Sequence, residues 1–181
     1  MELSVRDRVK TAIQIDADRR TFRTARSSYV DRELYSAELK SIFSKCWLYV
    51  GHESELSGPN DFKTRTIAGR SVIFVRDNHG QVRCFLNICP HRGAQICRER
   101  DGNTKAFQCL YHGWSFDTNG DVLHVAEEDT YATGFNTDAR NNMVPVPNFE
   151  QFRGFWFLNF DPGAVSLGEY LGDARIYIDR V

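Results

Sequence analysis

Two short cysteine–histidine pairs constrain what this chain can fold into. The first reads Cys89-Pro90-His91-Arg92-Gly93 and the second Cys109-Leu110-Tyr111-His112-Gly113-Trp114. Each offers one thiolate and one imidazole, at CxH and CxxH spacing. A fold that brings the two loops together therefore gathers two sulfur and two nitrogen donors at a common point. Glycine follows each histidine closely, where a loop wrapping a bound group often needs positive φ or close backbone approach. Pro90 stiffens the first loop by fixing its own φ.

That donor set suits a two-iron cluster with mixed ligation. In such a [2Fe–2S] centre two thiolates hold one iron and two neutral imidazoles the other, which raises the reduction potential over an all-cysteine cluster. Mixed pairs fit this asymmetry, because two loops folded back to back can send both cysteines to one iron and both histidines to the other. The expectation is Cys89 and Cys109 on the inner iron, His91 and His112 on the outer. The same residue types bind zinc tetrahedrally, but zinc fingers usually pair cysteine with cysteine and histidine with histidine. The cluster is the favoured reading.

Charge excludes some function classes. Basic and acidic residues number 23 and 24, so no broad nucleic-acid or membrane footprint appears. The longest apolar runs, such as Phe155-Trp156-Phe157-Leu158, are too short to span a bilayer. The first residues mix charges of both signs and lack an apolar signal core, which points to a soluble, cytoplasmic protein. Cys46, Cys84 and Cys97 read as small buried hydrophobes, and His52 and His79 as structural or surface histidines.

Along the chain, Val5, Val9, Ala12 and Ile13 lie at helical spacing, followed by a basic segment through Arg19, Arg20, Arg23 and Arg26. Asp31 is a possible N-cap for a helix to Cys46 with Tyr35, Leu39, Ile42, Phe43 and Cys46 on its core face. Short strands are expected near residues 47–52, 62–67, 71–76, 82–87, 105–108, 143–147 and 154–160, and Trp114–Asp117 leads from the second loop into a turn. Turns at Asp77-Asn78-His79-Gly80 and Asp117-Thr118-Asn119-Gly120 join neighbours. Residues 126–142 show no period. Ser166 with Glu169 is a capping box opening a helix toward Ile176. The fold class is mainly β: an antiparallel domain with two cluster-binding loops at one tip, flanked by N-terminal helices and a C-terminal helix. Arg92, Arg98, Arg100 and Lys105 near the loops could steer an acidic redox partner, or form an ordinary solvated rim.

Cys89-Pro90-His91-Arg92-Gly93-Ala94, together with Phe107-Gln108-Cys109-Leu110-Tyr111-His112-Gly113-Trp114, resembles the Rieske domain in the large (alpha) subunit of bacterial aromatic-ring-hydroxylating dioxygenases. The segments Trp47–Leu56 and Phe155–Pro162 resemble the start and the end of that domain. The likeness implies an N-terminal helical arm over residues 1–45, a Rieske [2Fe–2S] domain over 46–163, and a helix over 164–181 leading toward a catalytic domain. Respiratory Rieske proteins carry a serine two residues and a tyrosine four residues after the second histidine, both donating to sulfur. Here Trp114 and Phe116 stand there, so the potential is expected near the low end of the range, about −150 mV.

The resemblance further implies electrons arriving from a ferredoxin or reductase. They leave for a mononuclear iron that activates dioxygen in the oxidation of aromatic hydrocarbons. In the family that iron belongs to a neighbouring alpha subunit of a trimer, reached through an aspartate on the second histidine, here His112; a beta subunit can accompany the trimer. No two-histidine, one-carboxylate pattern follows His124, so the chain is expected to be a fragment without the catalytic iron. A free-standing Rieske ferredoxin and a structural zinc module are the competing readings.

Overall fold

The computed structural model describes residues 4–180, which divide into two compact units at Lys45/Cys46. In the first, Ser4 accepts the Asp7 amide and caps α1, Val5–Ala12. Ile13 does not continue that helix. It opens β1, Ile13–Asp16, which pairs antiparallel with β2, Thr21–Thr24, where β-branched residues favour an extended chain. The basic segment is thus partly a hairpin, with Arg20 in its turn at φ 51°.

After α2, Ser27–Val30, comes α3, Arg32–Glu38. Asp31 caps α3 as expected, its Oδ1 accepting from Glu33 N (2.9 Å) and Leu34 N (3.2 Å). The helix does not run regularly to Cys46: it widens into a π-helical stretch at Leu39–Phe43. Of α3 only Leu34 is buried, while Tyr35, Ile42 and Phe43 are exposed. The expected core face is therefore wrong, in α3 by about one position, and the π-turn rotates the residues beyond it.

The second unit carries three antiparallel sheets. Its strands are β3 (Leu48–His52), β4 (Asp61–Ile67), β5 (Arg70–Arg76), β6 (Val82–Leu86), β7 (Asp101–Asn103), β8 (Ala106–Gln108), β9 (Ser115–Asp117), β10 (Val122–His124), β11 (Asn148–Phe152) and β12 (Phe155–Asn159). The sheets run β6-β5-β4-β7, β11-β12-β3 and β10-β9-β8. β5 explains how they share an interior. Val72, Ile73, Phe74 and Val75 are all 0% exposed. Because alternate side chains leave opposite faces of a strand, Ile73 and Val75 enter one core with Phe62, Phe85, Phe107 and Phe116, and Val72 and Phe74 another with Val50, Leu56 and Leu158. The first core also holds Cys89 and Cys109.

Two expected elements are corrected. Residues 143–147 form no strand, only a bridge from Pro145 to Phe85. Pro145 and Pro147 lack the N–H groups a ladder needs, and the strand starts at Asn148 instead. The C-terminal helix is broken. Ser166 accepts from Glu169 N (3.2 Å) and caps α4, Leu167–Leu171, but Gly172 at φ 48° ends it before α5, Arg175–Ile178. β7, β9 and β10 were not read as strands from the sequence, whereas residues 126–142 are irregular as read, with 3₁₀ turns at Glu128–Thr130, Phe135–Thr137 and Ala139–Asn141.

Candidate metal centre

The two cysteine–histidine loops are one backbone motif used twice. In the first, Cys89 N donates to Ala94 O (2.7 Å) and Gly93 N to Cys89 O (2.9 Å). In the second, Cys109 N donates to Trp114 O (2.8 Å) and Gly113 N to Cys109 O (2.9 Å). Gly93 and Gly113, the fifth residues of the two motifs, have φ 72° and 75°, so the expected left-handed turn is present in both. Histidine stands third in the first loop and fourth in the second.

Cys89 and Cys109 are buried in the core, and the Cys89 sulfur lies within hydrogen-bonding reach of the Cys109 sulfur and of the His91 and Arg92 amides. Burial is the main reason its thiol is pushed up to about 11, with the Cys109 sulfur adding and the two amides opposing. A thiolate here calls for a cation, which metal binding supplies while releasing the proton.

The imidazoles sit farther out. The His91 and His112 ring centroids are 4.6 Å apart, and both residues are partly exposed. His91 lies flat on Trp114, centroids 5.0 Å apart and planes within 5°, and Trp114 in turn meets the edge of Phe135. Nδ1 of His91 is buried without a hydrogen-bond partner, an orphan that a metal would satisfy. Burial, then the charges of His112 and Arg92, disfavours the protonated His91 ring, which keeps a lone pair free for a metal. His112 packs against the Tyr111 ring at 3.8 Å. Among the described residues no three His, Cys, Asp or Glu side chains converge as a single-ion site. Two donors at each of two irons need no such convergence.

Other sequence candidates fall elsewhere. His52 caps the turn Glu53–Glu55 and meets Phe155 edge-on; His79 is exposed at its turn. All five cysteines are free, and Cys97 is buried with its sulfur toward Glu99 O. Arg92, Arg98, Arg100 and Lys105 are exposed, with Glu99 and Asp101 among them. Sequence reasoning missed three contributors: the stacking role of Trp114, the exposed apolar pair Leu110 and Tyr111 at the second loop's tip (67% and 61%), and Asn87. The Asn87 side chain bonds Ser71, Ile96 and Cys97; an asparagine just ahead of a ligand loop was the only hint.

Residues 46–149 match the family model of the Rieske [2Fe–2S] domain, and the chain belongs to that family, whose domain binds a [2Fe–2S] cluster. The proteins it resembles include large subunits of aromatic-ring dioxygenases. It is 36% identical over 98% of its length to the 2-halobenzoate 1,2-dioxygenase large subunit of Burkholderia cepacia, covering 39% of that protein. It is 39% identical over 91% of its length to the biphenyl 2,3-dioxygenase alpha subunit of Rhodococcus jostii, covering 35%. Among solved structures, naphthalene 1,2-dioxygenase from a Rhodococcus species bound to indole superposes with a TM-score of 0.78 at 37% identity, over 82% of this chain and 34% of that one. The chain thus spans little more than a third of the length of these relatives. No helix among the described residues is long and apolar enough to cross a membrane.

Proposed function

We propose that Cys89 and Cys109 hold the inner iron and His91 and His112 the outer iron of a [2Fe–2S] cluster. In this reading residues 46–163 are the electron-transfer domain of an aromatic-ring-hydroxylating dioxygenase alpha subunit, 1–45 an arm, and 164–181 the link toward its catalytic part. The carrying observation is the repeated loop motif that sets two buried thiols together and two imidazoles 4.6 Å apart.

When bound, the cluster supplies one-electron storage at a potential set by its surroundings. The chain's own residues do the rest. The His91 and Arg92 amides face the Cys89 sulfur and favour its charged form. Trp114, 2% exposed, covers one face of the His91 ring and offers no hydroxyl to sulfur, nor does Phe116, consistent with a low potential. Leu110 and Tyr111 give the tip beside His112 an apolar contact for a redox partner. A cytoplasmic ferredoxin or reductase delivers electrons, and a mononuclear iron of the oxygenase, in a neighbouring alpha subunit, receives them by way of His112.

Electron paramagnetic resonance of the dithionite-reduced protein tests this, with metal and acid-labile sulfide quantified on the same sample. A rhombic signal of low average g, at about two irons per chain, is the expected result, and His112→Ala should abolish it. A silent, zinc-filled sample, or an unchanged His112→Ala spectrum, would overturn the ligand assignment.

A further inference from the structure

The two ligand loops share a backbone motif but are closed differently. The second is the tip of a hairpin: Gln108 of β8 pairs with Ser115 of β9 just outside Cys109 and Trp114. Ladder hydrogen bonds fix its base. The first loop has no such ladder. β6 ends at Leu86, and the returning chain forms no strand until Asp101.

One side chain stands in for the missing strand. Asn87 is 1% exposed. Its Oδ1 accepts from Ile96 N (3.1 Å) and Cys97 N (2.9 Å), and its Nδ2 donates to Cys97 O (2.7 Å) and Ser71 Oγ (3.2 Å). Its own N–H donates to Ser71 O (2.9 Å). The side-chain amide thus meets both the N–H and the C=O of Cys97, the pair of bonds a neighbouring antiparallel strand would make, and takes the Ile96 N–H as well. It joins the outgoing and returning limbs of the loop two residues before Cys89 and ties both to β5.

We propose that Asn87 is a positioning residue: it holds the first ligand loop, and so Cys89 and His91, in the geometry that receives the cluster. The inference rests on the ligand set proposed above. Asparagine suits the task because it is donor and acceptor at once. Aspartate would keep the acceptor and lose the donor, and an apolar residue would leave the buried Ile96 and Cys97 N–H groups of the returning limb unpaired.

Amide hydrogen exchange, measured by residue on the cluster-loaded protein, tests it. In the unaltered protein Ile96 and Cys97 should exchange as slowly as amides of β5. Asn87→Ala should speed exchange at Cys89, Gly93, Ile96 and Cys97 by about tenfold or more, leave Cys109 and Gly113 unchanged, and hasten loss of cluster absorbance to a chelator. Asn87→Asp should restore protection at Ile96 and Cys97. Leu158→Ala, in the other core, should loosen both loops alike. The proposal falls if Asn87→Ala also loosens both loops alike, or if Ile96 and Cys97 of the unaltered protein exchange like exposed loop amides; the latter measurement decides should Asn87→Ala fail to fold. An unaltered protein without the rhombic signal would instead overturn the ligand reading, and the positioning role with it.

Discussion

Asp77 has no solvent contact yet sits in a surface turn. Its side chain is 0% exposed and accepts from His79 N (2.9 Å), Gln81 N (2.8 Å) and Arg83 Nε (2.6 Å). Burial alone would raise its carboxyl; Arg83 and the two amides outweigh it, and the net shift is downward. A group whose folded value lies below its unfolded one contributes stability that is full above the unfolded value and lost as pH falls through the folded one. Asp77→Asn keeps the shape but faces Arg83 with a neutral amide, and should cost about 2 kcal/mol at neutral pH. In urea unfolding, the gap between the two proteins should shrink below about pH 4; a gap independent of pH would refute the charge-based account. At this scale the two cysteine–histidine pairs proposed as ligands stood out in the sequence, since their types and spacing are local. Asn87 and Trp114 were not, because their importance lies in partners up to sixteen and twenty-three residues away, Ser71 and His91 respectively.

The turns after β5 and β9 are built by the same device. Asp77 and Asp117 each accept, through Oδ1, from the amides two and four residues on, and Gly80 and Gly120 close them at φ 84° and 97°. Their surroundings differ. A Cβ on Gly120 would fall 2.5 Å from Phe85 Cε1, inside the first core, while one on Gly80 would meet nothing within 4 Å. Gly80→Ala should therefore cost only the left-handed strain, about 1 kcal/mol, and Gly120→Ala at least about 2 kcal/mol more through overpacking. Equal losses in thermal or denaturant unfolding would show that the clash relaxes freely. Both turns, and most strands, could be read from alternation and turn residues. The misread elements were those where a second force decides: the prolines that bar residues 143–147 from a ladder, and the isoleucine run that makes β1 out of an apparent helix end.

The unit of residues 46–180 contains both core clusters within itself, whereas in residues 4–45 Ala12 and Leu34 are the buried hydrophobes and Ile15, Phe22, Tyr29 and Val30 are well exposed. A chain beginning at Cys46 should accordingly fold and take up the cluster, its melting temperature within about 4 °C of the longer protein's. Circular dichroism and the reduced-cluster spectrum check this, and a truncated chain that stays unfolded would show that its cores are insufficient. By itself the sequence determined the β class, the twin turns, the caps at Asp31 and Ser166, and the two cysteine–histidine loops, because each depends on residues close together in the chain. Only the tertiary structure decided how β5 feeds two cores, how Trp114 covers His91, and how Asn87 closes a loop that has no strand of its own. Those outcomes depend on which distant groups must satisfy one another once water is excluded, and no local pattern records that.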